Sequence, residues 1–511
     1  MSLTKKLREL RIKNEKLTLG QAIRLFLEQV GVVGIKLGQI LSEHETLVSG
    51  EIRSELSSLR DKAAPFAKYG IFTYLRVGGL SKESRQKGPY LVTEVGDCLG
   101  SASIKQAHKV VVESSPEEGS EPQPGAAAMQ AVGKFPRPSI EKNFQEDVHV
   151  LQGVSEVLRF QGTNLPPRLV EEVVNACRAE FDFSLEAEAQ TEMGETLQRR
   201  NANVEMAGQE LPLAVPKVLY VVKKGEGKAE NIQLTLEEYI PGLTFAEIEE
   251  YQKLCQEAAP RSEERSRKEE LEAKLQEIYG DRAPLATHEY ASLPMREIRS
   301  QIAVELLTEI VEDGRFHADL HSGNSIIDLT QGKRRIALID FGSAGRSLEL
   351  TDAGREDHRE PFRDFLQNIL LLRFQLSDMQ KLGRVLERYV KHPTFQAADW
   401  SQRITALNQK HQGVGKFFQE FLSDLLGQQA EIHPQFRLLL KSLAAAGAHL
   451  DALATTIAGA ISTALARAAS EGRPILETLF EHPTMKKLQP FLEKIPSLQQ
   501  KLTALLQSRA A

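Results

Sequence analysis

Residues 316–324 are FHADLHSGN, and residues 338–342 are LIDFG. The apolar run before Asp340 predicts a short strand, so Asp340 follows a strand, whereas Asp319 and Asn324 lie on the preceding loop. An aspartate on a tight loop is suited to orient an attacking oxygen and accept its proton. Amide and carboxylate oxygens are the hard ligands that Mg²⁺ prefers. The stretch therefore predicts Asp319 as a catalytic residue and Asn324 and Asp340 as magnesium ligands for phosphoryl transfer.

A transition-metal site is the alternative interpretation of the same stretch. His317, Asp319 and His321 alternate along the chain, and imidazole and carboxylate groups ligate zinc. No further cluster of ligand residues accompanies them in the sequence. The spacing to Asn324 and to Asp340 matches that of a kinase catalytic loop, and it favours the kinase-like interpretation.

Kinase-like chemistry also needs a strand lysine for the phosphates and a helix glutamate that holds it. Lys134 in AVGK (131–134) ends a short predicted strand, and Glu186 lies on the helix predicted after it. These two are our further catalytic candidates. AVGK departs from the usual V-A-I-K pattern, so an ordinary surface charge remains the alternative for Lys134.

The predicted nucleotide-binding residues include a turn of small residues. LGSASIKQAHK (99–109) joins two predicted strands through Gly100, Ser101, Ala102 and Ser103, but it contains no G-x-G-x-x-G. Small side chains let backbone N–H groups approach phosphates, although less closely than glycines do. With Lys134, we also assign Glu238 and Tyr239 to this group, at the end of the strand IQLTLEEYI.

Four motifs in this order resemble the UbiB/AarF family of atypical kinases, which is linked to ubiquinone biosynthesis. IKLGQ (35–39) resembles the family's K-x-G-Q motif, and SASIKQAH (101–108) its alanine-rich nucleotide loop. EFDFSLEAE (180–188) resembles the E-x-D motif, and FHADLHSGN the catalytic loop. The resemblance extends from about residue 31 to residue 345.

The resemblance implies an α+β, protein-kinase-like two-lobe fold with a helical N-terminal extension and a helical C-terminal tail. It implies that Lys36 and Gln39 occlude the cleft, that Lys36 pairs with Glu180, and that Lys134 pairs with Glu186. An occluded cleft implies Mg²⁺-dependent transfer or hydrolysis of ATP, with ADP as product, rather than peptide phosphorylation. A lipid or isoprenoid-quinone precursor is the expected acceptor.

Two other functions stay open. Leu320 and Ser322 stand where the family has prolines, which leaves the substrate undefined. A nucleotide-binding pseudokinase scaffold would use the same cleft without turnover, and a small-molecule phosphotransferase would share the catalytic loop. Ala318 replaces the arginine of a regulated kinase's H-R-D, and no A-P-E follows, so we expect no control by activation-loop phosphorylation.

We predict four parts in the chain. They are an N-terminal extension at 1–75, an N-lobe at 76–242 with a mobile loop at 112–128, a C-lobe at 243–425 with a charged helical insertion at 252–295, and a helical region at 426–511. We expect one helix from Leu169 to Gln198, and only helices after Leu348.

Composition limits the class of protein. The 511 residues carry a net charge of −6, so no overall basic field would attract nucleic acid. Three scattered cysteines indicate a reducing compartment, and the charged N-terminal stretch MSLTKKLRELRIKNEKL predicts no signal peptide. The uncharged run from Ala452 to Ala466 is shorter than the ~20 residues of a spanning helix and predicts a buried helix. We expect a cytoplasmic protein, with peripheral membrane contact left open.

Overall fold

The fold was analysed in a computed structural model of the 511-residue chain. The structure describes residues 18–30, 32–43, 48, 50–60, 66–84, 88–101, 104–114, 128–138, 144–150, 169–206, 209–223, 233–257, 261–351, 354–372, 377–392, 394–411, 413–428, 430–473 and 475–493. The chain divides into two compact units. Unit 1 comprises Met1–Thr191, Pro216–Tyr239 and Ser423–Ala430, and unit 2 comprises Glu192–Val215, Ile240–Leu422 and Glu431–Ala511. Helices and mainly antiparallel sheets confirm the α+β class.

Helices precede and flank the sheet of unit 1. They are α1 (Leu19–Val30), α2 (Val32–Glu43), α3 (Gly50–Ser57), α4 (Lys68–Val77), α5 (Leu169–Glu180) and α6 (Phe183–Arg200), which begins in this unit. A 3₁₀ turn, Ser58–Arg60, follows α3, and residues 144–150 are also helical. Apolar residues at helical spacing on α1, such as Phe26 and Leu27, join Leu37 of α2 and Leu56 of α3 in one buried cluster.

The sheet of unit 1 has the strand order β1-β2-β3-β7-β6. Its strands are β1 (Tyr90–Ser101), β2 (Lys105–Ser114), β3 (Met129–Pro136), β6 (Val218–Val222) and β7 (Leu234–Glu238), and every neighbouring pair is antiparallel. Side chains alternate between the two faces, so Val110, Ala131, Phe135 and Leu236 lie in the core. Lys134 therefore lies on the opposite face from that core.

Unit 2 combines a second sheet with most of the remaining helices. Its strands are β4 (Asn203–Met206), β5 (Gln209–Ala214), β8 (Leu243–Thr244), β9 (Arg315–His317), β10 (Ser325–Asp328), β11 (Arg335–Leu338), β12 (Ala344–Arg346), β13 (Leu348–Thr351), β14 (Gly354–Asp357), β15 (Val390–Lys391) and β16 (Glu431–Ile432). The main sheet has the order β4-β5-β11-β10-β8, and β12 pairs with β9. The β10–β11 and β9–β12 pairings hold the segment around FHADLHSGN next to the segment around LIDFG.

The helices after β8 follow in sequence. They are α7 (Phe245–Gln256), α8 (Ser262–Tyr279), α9 (Ala283–Ser292), α10 (Met295–Thr308), α11 (Arg359–Leu372), α12 (Met379–Tyr389), α13 (Ala397–Lys410), α14 (Val414–Gly427), α15 (Pro434–Ala445), α16 (Gly447–Glu471), α17 (Ile475–Leu479) and α18 (Pro483–Glu493). A π-helical turn, Glu309–Asp313, follows α10, and 3₁₀ turns occupy Gly280–Arg282 and Ser322–Asn324.

Two predictions on secondary structure are wrong. The single helix predicted from Leu169 to Gln198 is broken between α5 and α6, where the Asp182 side chain accepts a hydrogen bond from the Ser184 N–H at 3.0 Å and starts a new helix. The chain after Leu348 is not all helical, because β13 and β14 form an antiparallel hairpin. The alternation in LELT has the period of two that is typical of a strand.

The predicted mobile loop at 112–128 begins too early. Strand β2 continues to Ser114 and pairs Val112 with Met129 of β3. Residues 115–127 of that loop lie outside the described residues. The four domain boundaries stay predictions.

The apolar run in the C-terminal region lies within α16. Its side chains Leu453, Ile457 and Ile461 are buried, as predicted for a packed helix. Ser300 of α10 and Thr456 of α16 join their hydroxyl groups at 2.7 Å. Within the described part of the chain, no single helix is long and apolar enough to cross a membrane, and Pro434–Ala445 with Gly447–Ala464 reach that length only as a pair bent by 70°.

Candidate active site

Lys134 and Glu186 form the ion pair that was predicted from the sequence. The Nζ of Lys134 lies 2.8 Å from the Oε1 of Glu186, and both side chains are about nine-tenths buried (9% exposed each). Strand β3 supplies the lysine and α6 the glutamate, as a kinase-like phosphate site requires. The interpretation of Lys134 as an ordinary surface charge is therefore wrong.

Two further charged residues belong to this cluster, and the sequence reasoning missed them. The Nζ of Lys134 also lies 2.9 Å from the Oε1 of Glu237 on β7, and Lys105 of β2 pairs with the second carboxylate oxygen of Glu186. Lys134 is paired with Thr235 across the β3–β7 ladder, so Glu237 lies two residues along β7 on the same face. Alternation in LTLEE indicates that Glu237 shares a face of β7 with Thr235, but not that this face lies next to Lys134. Lys105 falls inside a motif to which only small residues were assigned.

A buried junction between α5 and α6 fixes the helix that carries Glu186. Asp182, the second acid of the E-x-D motif, caps α6 through the Ser184 N–H. The Gln233 side chain accepts a hydrogen bond from the Phe183 N–H at 3.1 Å and donates one to the Phe181 carbonyl. These contacts determine where α6 starts, and hence where Glu186 lies relative to Lys134.

Lys36 pairs with Glu180, as the family resemblance implies. Both side chains are about one-quarter exposed, and the Gln39 amide donates a hydrogen bond to the Leu59 carbonyl at 3.0 Å. Gly38 stands between Lys36 and Gln39 in the sequence. A larger residue there would place its Cβ 2.3 Å from the Leu59 side chain. Helix packing and the Lys36–Glu180 ion pair thus hold the K-x-G-Q segment in place within unit 1. Occlusion of a cleft by Lys36, Gln39 and Glu180 stays a prediction.

The predicted nucleotide turn is only partly described. Gly100 and Ser101 belong to β1 rather than to a turn, since Gly100 pairs with Ala107 and Ser101 with Gln106. Ala102 and Ser103 lie outside the described residues. Arg137 donates a hydrogen bond to the Ser101 hydroxyl at 2.8 Å.

Glu238 and Tyr239 lie at the end of unit 1. The Glu238 N–H donates to the Lys217 carbonyl at 2.8 Å, and the Lys109 ammonium lies 5.0 Å from the centroid of the Tyr239 ring. Their roles in nucleotide binding stay predictions.

In unit 2, the catalytic loop is organised around the buried His317. Its Nδ1 accepts a hydrogen bond from the Asp319 N–H at 3.1 Å, and its Nε2 lies 3.0 Å from the Ile339 carbonyl. An imidazole protonated on Nε2 satisfies both contacts, and burial lowers the pKa of His317, which favours this neutral form. His317 thereby ties the backbone of Asp319 to the residue before Asp340.

Asn324 and Asp340 lie on the two segments that His317 joins. The Asn324 amide nitrogen donates to the Asp319 carbonyl at 2.9 Å, and the Ile339 N–H donates to the Asn324 carbonyl at 2.9 Å. Asp340 has φ of +62°, a strained backbone conformation that costs about 1–3 kcal/mol and is concentrated at functional sites. The structure therefore brings together the three residues predicted for magnesium and catalysis.

Helix α15 supports this loop, which the sequence did not indicate. The Ser442 hydroxyl donates to the His317 carbonyl at 2.7 Å. The Lys441 ammonium lies 3.8 Å from an Asp319 carboxylate oxygen and donates to the Ser343 hydroxyl at 3.1 Å. A lysine this close balances part of the negative charge of Asp319.

A buried acid lies directly behind the loop. The Glu309 carboxylate accepts a hydrogen bond from the His317 N–H at 3.2 Å, and burial raises the pKa of Glu309 to about 8. Arg200, which pairs with Glu305 and Asp313, opposes that rise only in part. Near neutral pH, Glu309 is therefore mainly protonated.

The alternative transition-metal site at His317, Asp319 and His321 is not supported. Both ring nitrogens of His317 contact backbone groups, and the His321 Nδ1 accepts from the Gly323 N–H at 3.0 Å. Among the described residues, the only three-ligand group of histidines and acids lies elsewhere, at Glu356, His358 and His433.

Comparison with known proteins agrees with this geometry. The model of the ABC1 atypical kinase-like domain matches residues 96–367, which is more than half of the chain. A relative from Marinobacter nauticus named "Probable protein kinase UbiB" is 25% identical over 338 residues, covering 65% of this chain and 48% of that protein. A protein of the same name from Shewanella baltica is 29% identical over 178 residues, which are 33% of this chain and 28% of that one.

The matched region therefore spans about half the length of the first of these relatives. Among solved structures, a complex of Rv3197 with erythromycin from Mycobacterium tuberculosis matches 89% of this chain and 95% of that chain. Its TM-score is 0.40 and its sequence identity is 18%.

Proposed function

This chain belongs to the ABC1 atypical kinase-like family, of the UbiB/AarF type, and on that premise we propose that it binds ATP with Mg²⁺ and transfers or hydrolyses the γ-phosphate. The single observation that carries the proposal is the hydrogen-bonded arrangement of Asp319, Asn324 and His317 next to the strained Asp340. Strain of this kind is retained where a function requires it.

The side chains present fit a magnesium ion. The Asn324 amide oxygen and the Asp340 carboxylate are hard oxygen ligands, and we assign the ion to them. When bound, Mg²⁺ neutralises negative charge on the phosphate oxygens. Asn324 is oriented for this role because its amide nitrogen is already hydrogen-bonded to the Asp319 carbonyl.

Asp319 is the proposed base. Its carboxylate accepts the proton of the attacking hydroxyl or water while the new O–P bond forms, and the bond between the γ-phosphorus and the bridging oxygen breaks to release ADP. Lys441 places a positive charge 3.8 Å from an Asp319 carboxylate oxygen.

Lys134 is the proposed phosphate-binding cation in unit 1. Glu186 and Glu237 fix its ammonium group at 2.8 and 2.9 Å, so little conformational freedom remains for the side chain to lose when a phosphate binds. An α- or β-phosphate would then accept a charge-assisted hydrogen bond from Lys134.

For the acceptor, we propose a small or lipid-like molecule, with an isoprenoid-quinone precursor as the first candidate. The relatives carry the name UbiB, and the K-x-G-Q segment is rigidly packed through Gly38. We propose a cytoplasmic protein that works at the membrane surface.

Nucleotide binding measured by thermal shift tests the proposal. ATP and ADP are added with and without Mg²⁺ to the wild type, to Asp340→Asn and to Asp281→Asn, a control at an exposed aspartate of the same unit. We expect a Mg²⁺-dependent stabilisation in the wild type and in the control that Asp340→Asn loses. No shift with ATP in the wild type would overturn the proposal.

Turnover separates the enzyme from a nucleotide-binding scaffold. The contact between Lys441 and Asp319 at 3.8 Å is the observation that favours a scaffold, because the side chain proposed as the base already has an ionic partner. Release of phosphate from ATP that Asp319→Asn abolishes would establish the enzyme. Mg²⁺-dependent binding without such turnover, in the presence of candidate lipid and small alcohol acceptors, would establish the scaffold.

A further inference from the structure

A second group of potential metal ligands lies in unit 2, outside the proposed active site. Glu356 lies in β14 of the hairpin β13–β14, His358 directly follows that strand, and His433 caps α15. Each offers one ligand atom, and these atoms all lie within 4.8 Å of one another. We propose that Glu356, His358 and His433 bind a divalent transition-metal ion of the zinc class, which links the hairpin after Asp340 to α15.

His358 is arranged as a metal ligand. Its side chain is buried, and its Nδ1 lies 2.9 Å from the Tyr389 hydroxyl. Its Nε2 is also buried and makes no hydrogen bond to any residue that the structure describes, and it lies 3.5 Å from a Glu356 carboxylate oxygen. With the proton on Nδ1 and donated to Tyr389, the lone pair of Nε2 is available for a metal. Ligating histidines commonly donate their other ring N–H in this way.

His433 contributes the second imidazole. Its Nδ1 accepts a hydrogen bond from the Gln435 N–H at 3.3 Å, which is longer than a typical N–H bond. Binding a metal through Nε2 would move the imidazole proton to Nδ1 and give up this long contact. Because the contact is weak, its loss would offset little of the free energy of metal binding.

The ligand chemistry selects the class of ion. Two imidazoles and one carboxylate, with a fourth position for water, form a common zinc site, whereas Mg²⁺ prefers an all-oxygen octahedral shell. Bonds of about 2.0–2.1 Å in a tetrahedral site place ligand atoms roughly 3.4 Å apart. The 3.5 Å between His358 and Glu356 already has this value. The Glu356 side chain is half exposed, so solvent reaches its carboxylate.

The same two elements are already joined beside the proposed site. The Gln435 side chain accepts a hydrogen bond from the Arg346 N–H at 2.9 Å and donates one to the Glu349 carboxylate at 2.6 Å. Helix α15 continues to Lys441 and Ser442, which contact Asp319 and His317. A metal at the first turn of α15 would therefore reduce the motion of the helix that supports the catalytic loop.

The test uses the full chain after chelation and dialysis, with Zn²⁺ as the first probe and Co²⁺ as the spectroscopic probe. A large excess of Mg²⁺ is present to occupy the oxygen ligands around Asp340. The variants are Glu356→Gln, which alters a half-exposed side chain, and His433→Asn, which keeps a residue type favoured at a helix N-cap.

His482→Asn is the matched control. His482, like His433, precedes a proline at the start of a helix, and its Nδ1 accepts from the Thr484 N–H at 3.3 Å. Among the residues that the structure describes, His482 belongs to no three-ligand group of this kind.

We expect one Zn²⁺ per wild-type chain, visible absorption of a low-symmetry Co²⁺ site, and slower hydrogen exchange in residues 348–357 when metal is bound. Affinity should fall at least about tenfold in Glu356→Gln and His433→Asn and stay unchanged in His482→Asn. Equal stoichiometry and affinity in all four proteins would identify an adventitious ion only and overturn the proposal. Absence of Zn²⁺ binding to the wild type would also overturn it. If His433→Asn does not fold, Glu356→Gln alone decides between these outcomes.

Discussion

Replacing Lys134 with methionine should destabilise unit 1 strongly. The ammonium group is shared by Glu186 at 2.8 Å and Glu237 at 2.9 Å, and all three side chains are more than nine-tenths buried. Glu237 would lose the cation that lies 2.9 Å from it, and Glu186 would keep its pair with Lys105. Breaking a buried ion pair by removing one partner costs about 3–5 kcal/mol, because the remaining charge is desolvated without compensation.

An exposed ion pair in the same unit provides the control. Lys223 lies 4.0 Å from Glu188, with more than half of each side chain exposed. Pairs of this kind contribute about 0–1 kcal/mol. Lys223→Met should therefore shift the urea midpoint much less than Lys134→Met does.

A second substitution distinguishes unbalanced charge from lost packing. Glu237→Gln in the Lys134→Met background removes the negative charge that lost its cation, and it leaves the pair of Glu186 with Lys105 in place. The new amide keeps an oxygen that can accept the hydrogen bond from Gln190, now at 3.0 Å. The double variant should be more stable than Lys134→Met by about 1–3 kcal/mol.

The assay is urea denaturation, combined with hydrogen exchange of the β3 amides in residues 129–135. The exchange measurement reports on unit 1 directly, which matters because unfolding of a chain with two units need not be a single transition. Additive losses in the double variant, with β3 exchanging faster than in either single variant, would refute the argument from charge balance.

Three other predictions concern unit 2. Glu309 has a pKa of about 8 in the folded state and an ordinary value near 4.5. Between these pH values the folded state holds a proton that the unfolded state has released. The free energy of unfolding should therefore fall by up to about 1.4 kcal/mol per pH unit as the pH rises through this range. Glu309→Gln should flatten this slope in urea titrations from pH 5 to 8, and an unchanged slope would contradict the assignment. Gly242→Ala should lower the free energy of unfolding by at least about 3 kcal/mol in the same titrations, because φ is +136° and a Cβ would lie 2.1 Å from the Ile327 carbonyl oxygen. A loss below about 1 kcal/mol would contradict this. Ser442→Ala should cost about 1–2 kcal/mol and speed up hydrogen exchange near His317, since it leaves a buried carbonyl without its donor, and unaltered exchange would argue against it.

The sequence was sufficient to predict which residues lie together where a short local motif determines their spacing; their roles stay predictions. The Asp319, Asn324 and Asp340 set could be predicted because its spacing is determined by one loop and one strand. The pair of Lys134 and Glu186 could be predicted because both lie in recognisable patterns, although 52 residues separate them.

The rest could not be predicted, because it depends on which strands become neighbours. Glu237 meets Lys134 only through the β3–β7 pairing, and no local pattern in LTLEE states that pairing. The break between α5 and α6 combines the local cap by Asp182 with the contacts of Gln233, which lies about 50 residues away along the chain. A single long helix was therefore the reasonable expectation from local periodicity, and it was wrong.

A C-terminal helix without any recognisable motif contributes two contacts to the loop that contains Asp319. The sequence favoured simple packing for this region, because its leucines and alanines contain no motif. Yet a buried carbonyl needs a donor, and the His317 carbonyl receives its hydrogen bond from Ser442, 125 residues later. Lys441, the residue before it, contacts Asp319. One turn of α15 supplies both contacts, so the packing of that helix also positions the catalytic loop. A change that displaces α15 must therefore also displace the proposed base.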